Sequence, residues 1–267
     1  MIEGSSWREP LACPAACDHI AQLYQDDAFL SEAVCHFVAA GLRRDEGVLV
    51  VPTSAHWAGF RARLESAGVD VEECQRLGQL VVIEAEHALS WVMTEGMPDW
   101  MAFRKLLGGL IERLRQDYGA VRAFGEMVDL LSRDGNREAT VCLEEFWSKL
   151  IKFHGISLLC AYHLDPLDAA AYRGPLEDIC RTHTHLIPAR DYELLNVAVA
   201  EASNRVLDAS LVGMLRTLAH IDLPHTKMPF GQAVLLWLRK NMPLTADRVL
   251  SHVKGFHVRP VPVARDG

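Results

Sequence analysis

Polar side chains follow several short apolar runs in this sequence, at positions where a strand would end. Tyr24 closes the run HIAQLY, Thr53 follows GVLVVP, and Tyr162 closes ISLLCAY. If these runs are parallel strands, their carboxyl ends lie at one edge of a sheet, which is where open α/β sheets bind ligands. We therefore predict a small-molecule crevice at that edge, lined by Tyr24, Thr53, Glu126, Met127 and Tyr162.

Glu126 departs furthest from what is expected of a polar residue in a surface loop. It lies near the end of VRAFGEM, a largely apolar run that is typical of a buried strand. A carboxylate in such a place must be paired with a cation, be solvated in a pocket, or have a raised pKa. Two interpretations remain open: Glu126 lines a binding site, which we favour, or it forms a structural ion pair.

The motifs of common nucleotide-binding and hydrolytic sites are absent from the sequence. No glycine is followed by lysine, so the phosphate-binding motif G-x-x-x-x-G-K-[ST] cannot occur, and neither G-x-G-x-x-G nor G-x-S-x-G is found. The segment TSAHWAGF after GVLVVP also lacks the glycines that let backbone amides surround a phosphate. We therefore expect no enzymatic activity. The alternative is a diverged nucleotide-binding protein or ATPase with an atypical phosphate site near Thr53 and Ser54.

Two clusters contain the residue types that bind metal ions. Cys13, Cys17 and His19 lie within the segment CPAACDH, and a single residue separates His183 from His185. Alternate residues of a strand face the same side, which would suit shared ligation. The cysteine spacing, however, differs from the paired C-x₂-C halves of common zinc sites. We therefore expect free thiols and hydrogen-bonded histidines rather than a metal ion, and the sequence identifies no cofactor.

Strand-like and helix-like patterns alternate through the first two thirds of the chain. Continuous apolar runs predict buried strands, and apolar residues that recur every three or four positions predict helices. The predicted strands span residues 19–24, 47–52, 80–83, 121–127 and 156–162, and the predicted helices span residues 29–42, 54–66, 98–118 and 138–154. Repeated strand–helix–strand units form a mostly parallel sheet that helices cover on both faces. We predict this α/β architecture for residues 14–190.

The pattern changes after Pro188, because only helical periodicity follows. The predicted helices span residues 192–221, 232–241 and 246–254, the last of which ends at Gly255. Residues 191–257 are therefore expected to form a helical C-terminal segment. Residues 1–13 and 258–267 are expected to be flexible.

Composition and charge exclude several classes of protein. The 267 residues include 27 Lys and Arg against 35 Asp and Glu, so the formal net charge is −8. This charge, without a long basic cluster, argues against binding to nucleic acid or to an anionic membrane surface. No apolar run reaches the roughly 18 residues of a membrane span, and residues 1–10 lack the apolar core of a secretory signal. Seven scattered cysteines predict reduced thiols and a cytoplasmic location.

The stretch from His19 to about Ile187 resembles the MEDS family, a methanogen and methylotroph sensory domain named partly after a dichloromethane-response regulator. The resemblance rests on an ordered set of segments: HIAQLY, AAGLRRDEGVLVV, GEM, LLCAY and RTHTHLI. It implies a RecA-like sheet that has lost its phosphate loop and senses ligands in bacterial and archaeal signalling proteins. The ligands proposed for the family are small hydrocarbon derivatives. Carried over by position, the resemblance implies that ligand binding involves His19, Tyr24, Glu126, Tyr162 and His183.

Two features depart from the family pattern. Family members commonly have Gly-Glu before the second strand, where this chain has Asp45-Glu46-Gly47. Residues 191–267 contain neither a kinase domain nor the basic recognition helix of a DNA-binding output domain. The sequence therefore predicts a non-catalytic sensory or regulatory protein that binds a small molecule at the carboxyl ends of its strands.

The C-terminal helices are the part of the chain expected to contact a protein signalling partner or to form a homo-oligomer. Leu235, Leu236 and Trp237 either form an exposed apolar surface for such a contact or pack on the sheet domain. Packing on the sheet domain is the interpretation that we favour.

Overall fold

Six parallel strands form the central sheet of the protein, whose computed structural model describes residues 6–221 and 226–257. In chain order the strands are β1 (His19–Tyr24), β2 (Gly47–Val51), β3 (Leu80–Val82), β4 (Met93–Thr94), β5 (Met97–Pro98), β6 (Val121–Gly125), β7 (Ser157–His163) and β8 (His185–Ile187). The central sheet has the order β3-β2-β6-β7-β1-β8, and β4 pairs with β5 in a separate antiparallel hairpin. The carboxyl ends of the six parallel strands therefore lie at one edge.

Helices cover both faces of this sheet. In chain order they are α1 (Arg8–Ala12), α2 (Asp27–Arg43), α3 (Ser54–Ser66), α4 (Val71–Arg76), α5 (Ala85–Val92), α6 (Trp100–Phe103), α7 (Gly109–Tyr118), α8 (Met127–Arg133), α9 (Arg137–His154), α10 (Pro175–Thr182), α11 (Tyr192–Val206), α12 (Ala209–Ile221), α13 (Phe230–Asn241) and α14 (Pro243–His257). A π-helical turn at Arg104–Gly108 joins α6 to α7, so helical backbone extends from Trp100 to Tyr118. Several helices begin after a side chain that accepts a hydrogen bond from a first-turn amide, namely Asp26, Asp70, Asp99, Asn136 and Asp191.

The structure confirms the predicted α/β fold with C-terminal helices. Helix α3 has the predicted bounds, and the five predicted strands agree with β1, β2, β3, β6 and β7 to within two residues at each end. All five residues of β2 are buried. A strand covered by helices on both faces needs no alternation of polar and apolar residues, which is why continuous apolar runs identified these strands.

The long helix predicted for residues 192–221 is two helices, α11 and α12. Leu207 adopts an extended backbone conformation, with φ of −114° and ψ of 157°. The side chain of Asp208 then accepts a hydrogen bond from the amide of Leu211 at 2.8 Å and starts a new helix. Asp208 is therefore the N-cap residue of α12, and its side chain stabilises the start of that helix. The apolar periodicity alone did not reveal this break between two helices.

Several further elements differ from the prediction, because α4, α5, α8, α10 and the β4–β5 hairpin were not predicted. Strand β8 is an additional strand that pairs with β1, and its three residues are too few for a recognisable period. Helix α14 continues through Gly255 to His257, whereas Gly155 adopts a φ of 64° and ends α9 as predicted. Within the N-terminal segment expected to be flexible, α1 is a helix with Leu11 fully buried. Residues 1–5 and 258–267 lie outside the described residues.

The C-terminal helices share a core with the sheet. One face of the sheet, which includes Ile20 and Leu159, packs against α2 and α3. The opposite face, which includes Leu158, packs in one continuous core with buried residues of α9, α11, α13 and α14. Leu235 is buried in that core, and Trp237 packs partly buried against it. Leu235 and Trp237 therefore pack on the sheet domain, which is the favoured one of the two predicted alternatives.

Two further observations concern membrane-spanning helices and the cysteines. In the part of the chain that the structure describes, no helix combines the length and the apolar character needed to cross a membrane. All seven cysteines lie in that part and are free thiols, and Cys35, Cys160 and Cys180 are buried.

Candidate functional site

The residues predicted to bind a ligand fall into two groups in the structure. Tyr24, Thr53 and Glu126 lie at the carboxyl ends of β1, β2 and β6, where the parallel sheet brings them near one another. We call these residues, with His56 and Asp129, the strand-end cluster. His19, Tyr162 and His183 lie on the other face of the sheet, in a second group.

Glu126 is the centre of the strand-end cluster and is fully buried. Its Oε2 accepts hydrogen bonds from the amide of Thr53 at 2.7 Å and from the Thr53 hydroxyl at 3.3 Å. Its Oε1 lies 2.6 Å from Nδ1 of His56, the third residue of α3. Both carboxylate oxygens are therefore engaged by protein groups, which corresponds to the ion-pair alternative. Whether a ligand also reaches Glu126 stays a prediction.

The surroundings of His56 favour the cationic form of its imidazole. The hydrogen bond to Glu126 raises the pKa of the imidazole above its usual value, and burial opposes that effect. Asp27 lies 3.4 Å from Nε2 and raises the pKa of His56 further. The imidazole thus lies between the buried carboxyl group of Glu126 and the exposed carboxyl group of Asp27.

Tyr24 and Asp129 form the other half of the strand-end cluster. The Tyr24 hydroxyl donates to Oδ2 of Asp129 at 3.0 Å, and the amide of His163 donates to Oδ1 at 2.7 Å. Burial raises the pKa of the Asp129 carboxyl, and these hydrogen bonds oppose the rise. Met127, the first residue of α8, is fully buried in the core beside this group.

A second cluster lies between the sheet and helices α9 and α10. We call it the buried cluster, and each of its members is almost wholly removed from solvent. Its members are His19 at the start of β1, Glu144 on α9, Cys160 and Tyr162 on β7, and His183 directly after α10. One ligand atom from each of His19, Glu144, Cys160 and His183 can be chosen so that all four atoms lie within 4.8 Å of one another.

Four contacts define the interior of the buried cluster. Nε2 of His19 lies 3.3 Å from Oε2 of Glu144 and 3.4 Å from Sγ of Cys160. Nε2 of His183 lies 3.7 Å from Oε1 of Glu144. The hydroxyl of Tyr162 donates a hydrogen bond to that same oxygen. Glu144 is therefore the residue on which the other side chains converge.

Both imidazoles of the buried cluster are held by backbone carbonyls. Nδ1 of His19 lies 2.9 Å from the carbonyl oxygen of Thr182, and Nδ1 of His183 lies 2.8 Å from that of Ile179. A carbonyl oxygen can only accept, so each Nδ1 carries the proton and each Nε2 presents a lone pair. Burial lowers the pKa of both histidines, that of His183 to about 4, so both rings are neutral near pH 7.

The carboxyl of Glu144 has an unusual protonation equilibrium. Burial raises its pKa to about 7, and the hydrogen bond from Tyr162 opposes that rise. Its Oε2 and Nε2 of His183 have no hydrogen-bond partner among the described residues. Buried polar atoms without a partner are rare, which marks this cluster as a candidate site.

A cavity of about 210 Å³ leads from the surface to the buried cluster. Glu144 and Tyr162 form part of its lining, together with residues of the α8–α9 connection, α9 and α10. Arg137 and Asp178 line it from opposite walls and form an ion pair at 2.7 Å. Apolar groups such as Ile179 make up much of the rest of the wall.

The wall formed by α10 is also bonded to the C-terminal segment. The hydroxyl of Thr226 lies 2.6 Å from the carbonyl oxygen of Cys180 and 2.9 Å from that of His183. Nε2 of Gln232, on α13, donates to the hydroxyl of Tyr172 at 2.8 Å. The Thr226 contacts connect the end of α10 and the buried cluster to the C-terminal segment, and the Gln232 contact connects α13 to the turn that precedes α10.

Glu144 and Cys160 are the members of the buried cluster that sequence reasoning missed. A signal for Glu144 existed, because it lies between Leu143 and Trp147 on the buried stripe of α9, where a carboxylate is unexpected. Cys13 and Cys17, by contrast, are exposed and do not join His19 in this cluster.

Comparison with known proteins gives one family. The family model MEDS, described as the methanogen/methylotroph, DcmR sensory domain, matches residues 18–184. This range includes every member of both clusters. A comparison with curated proteins gives no match.

Proposed function

The chain belongs to the MEDS family of sensory domains, and from this premise we propose that it is a non-catalytic regulatory protein that binds a small organic molecule. The molecule binds in the cavity between α9 and α10. The C-terminal helices then pass the bound state to a protein partner. One observation carries the proposal: the cavity reaches Glu144 and Tyr162, and its α10 wall is hydrogen-bonded to Thr226 of the C-terminal segment.

The size and lining of the cavity define the class of ligand. At about 210 Å³ it is smaller than the roughly 300–1,000 Å³ of pockets that bind drug-sized molecules. The side chains of Val141 and Ile179 offer apolar contacts, and Tyr162 and Glu144 offer a polar floor. A compact, mainly apolar molecule with one hydrogen-bonding group suits this lining. Such a molecule belongs to the small hydrocarbon derivatives expected for the family.

Transmission requires that the ligand favour one of two arrangements of the C-terminal helices. Helix α10 is suited to this role because one of its faces contacts the cavity and its last turn is bonded to Thr226. A tenfold difference in affinity between two arrangements corresponds to about 1.4 kcal/mol. One or two altered hydrogen bonds at this junction supply a free energy of that size.

The arrangement at the start of α3 disfavours the nucleotide-binding alternative. A phosphate would need the free amides at that helix N-terminus. The amide of Thr53 instead donates to Glu126 at 2.7 Å, and the amide of Ser54 lies 3.4 Å from a carboxylate oxygen of Glu86. Two carboxylates at this position repel an anionic phosphate, so we do not assign ATP hydrolysis to this chain.

Thermal denaturation with small probes tests the proposal. We choose dichloromethane, butan-1-ol and phenol, which fit the cavity in size and differ in their polar group. A probe at 100 times its Kd adds about 2.7 kcal/mol to the free energy of unfolding, so the Tm of the full chain should rise. The Val141→Trp variant places an indole in the cavity and should lose that response.

The matched control is Leu77→Trp, which adds the same side chain at a position that is 56% exposed and is not part of the cavity lining. Its response to the probes should equal that of the wild type. The proposal fails if none of the three probes raises the Tm of the wild-type chain, or if the probes raise the Tm of Val141→Trp equally.

A further inference from the structure

The geometry of the buried cluster points to a metal site: we infer that His19, Glu144, Cys160 and His183 bind one divalent transition-metal ion, for which Zn²⁺ is the best match. This inference is independent of a ligand in the cavity. It also differs from the sequence-based expectation of thiols and histidines without a metal ion. The four residues come from β1, α9, β7 and the end of α10, so they are assembled only by the fold.

The two contacts of His19 Nε2 have the spacing of tetrahedral coordination. Bond lengths of about 2.0–2.3 Å to nitrogen, oxygen and sulfur place neighbouring ligand atoms of a tetrahedral Zn²⁺ site about 3.3–3.6 Å apart. His19 Nε2 lies 3.3 Å from Glu144 Oε2 and 3.4 Å from Cys160 Sγ. His183 Nε2 lies 3.7 Å from the other carboxylate oxygen of Glu144, Oε1. Every pair of the four ligand atoms lies within 4.8 Å.

The orientation of the imidazoles is that of metal ligands. Metal-binding histidines commonly donate their other N–H to a backbone carbonyl or a carboxylate, which fixes the ring. His19 and His183 each donate Nδ1–H to a carbonyl oxygen, at 2.9 and 2.8 Å, and direct the Nε2 lone pair inwards. Tyr162 holds the carboxylate of Glu144 in the same way. His19, Glu144 and His183 are thus each held in position by a hydrogen bond to a group outside the proposed ligand set.

Two polar atoms of the cluster would gain a partner from the ion. Oε2 of Glu144 and Nε2 of His183 are buried and have no hydrogen-bond partner in the described part of the chain. The Nε2 lone pairs of His19 and His183 both face the carboxylate of Glu144. These electron-rich groups repel one another unless a proton or a cation lies between them. A divalent cation with one thiolate and one carboxylate is neutral overall, which lowers the cost of burying charge at this depth.

The ligand types select the class of metal ion. A thiolate and two imidazoles disfavour Mg²⁺ and Ca²⁺, which prefer oxygen ligands. A tetrahedral set of sulfur, nitrogen and oxygen atoms suits Zn²⁺. Binding forms a metal–sulfur bond as the Cys160 S–H proton leaves for the solvent, so uptake releases at least one proton.

Metal analysis of the full chain, purified without a histidine tag, tests the inference. After incubation with excess Zn²⁺ and gel filtration, we expect about one Zn²⁺ per chain. Replacement by Co²⁺ should give tetrahedral d–d bands and a thiolate-to-cobalt charge-transfer band. The Cys160→Ser variant should lose the charge-transfer band, and Glu144→Gln and His183→Gln should each weaken binding at least about tenfold.

The matched controls are Cys142→Ser and His154→Gln, which change the same residue types on α9 outside the cluster. Both should bind Zn²⁺ as the wild type does. If a ligand variant fails to fold, the wild-type stoichiometry and cobalt spectrum still decide the question. Less than about 0.1 Zn²⁺ per wild-type chain, or a cobalt spectrum that Cys160→Ser leaves unchanged, overturns the inference. Neither result depends on an organic probe, so the proposed function is tested separately.

Discussion

The hydroxyl of Thr226 lies 2.9 Å from the carbonyl oxygen of His183, so a residue of the C-terminal segment contacts the backbone of a member of the buried cluster. The same hydroxyl lies 2.6 Å from the carbonyl oxygen of Cys180, in the last turn of α10. Thr226 is 6% exposed, so water competes little for these bonds. Any shift of the end of α10 must therefore move Thr226 or break its hydrogen bond.

The first prediction concerns the hydrogen bonds between Thr226 and the end of α10. Thr226→Val keeps the shape of the side chain but removes the hydroxyl, which leaves two buried carbonyl oxygens without that donor. We expect the free energy of unfolding to fall by about 1–2 kcal/mol. Urea denaturation of the two proteins measures the change. Thr94→Val, at an exposed position, is the control and should stay within about 0.5 kcal/mol of the wild type. An unchanged stability of Thr226→Val would show that this hydroxyl does not hold the junction.

The second prediction concerns the pH dependence of stability. The pKa of His56 is raised in the folded protein, chiefly by the hydrogen bond to Glu126, so folding favours the protonated imidazole. This contribution is fully present below the unfolded pKa of about 6.5 and is lost as the pH rises through the folded pKa. His56→Gln should therefore flatten the fall in stability above pH 6.5, which denaturation at a series of pH values measures.

His87→Gln is the matched control for this titration, because the side chain of His87 is 69% exposed. It should reproduce the wild-type pH profile. A His56→Gln profile parallel to that of the wild type would mean that the contact between His56 and Glu126 does not favour the charged imidazole.

The third prediction concerns Gly41, which packs against a buried arginine. A Cβ atom at Gly41 would lie 2.4 Å from Nε of Arg122. That guanidinium is fixed by Glu46 at 2.6 Å and by the carbonyl oxygen of Phe37 at 2.7 Å. Gly41→Ala should therefore destabilise the fold by about 1–3 kcal/mol in chemical denaturation.

Gly59→Ala provides the opposite case within helix α3. A Cβ atom there meets no described atom within 4 Å, so the variant gains helix propensity without a clash. Its stability should rise by about 0.5–1 kcal/mol. Equal effects of the two substitutions would contradict the packing described for Arg122.

The fold class could be predicted from local patterns, whereas the assembly of the buried cluster around Glu144 could not. Buried strands such as β2 and the helix Ser54–Ser66 follow from apolar runs and apolar periods within short windows. The cluster depends on long-range pairing. In the parallel register His19 is opposite Leu158, so Cys160, two residues further along β7, lies on the same face.

Glu126 and Glu144 show most clearly what could not be predicted from the sequence. Both are carboxylates in apolar surroundings. Only Glu126 was predicted as a site residue, because it lies at the carboxyl end of a predicted strand, where α/β sheets bind ligands. The partner of Glu126, His56, lies on α3 after a different strand, so its pairing follows from the neighbouring positions of β2 and β6. Glu144 lies in mid-helix, and its convergence with Tyr162 requires the packing of α9 on β7.

The most direct test of the regulatory account is hydrogen exchange of the full chain, measured by mass spectrometry with and without a saturating probe. The probe is whichever of dichloromethane, butan-1-ol and phenol raises the Tm most. We predict slower exchange in both α10 and residues 226–241, because Thr226 is hydrogen-bonded to the last turn of α10 and Gln232 to Tyr172, in the turn that precedes α10. Slower exchange confined to the cavity walls, with residues 226–241 unchanged, would contradict the account.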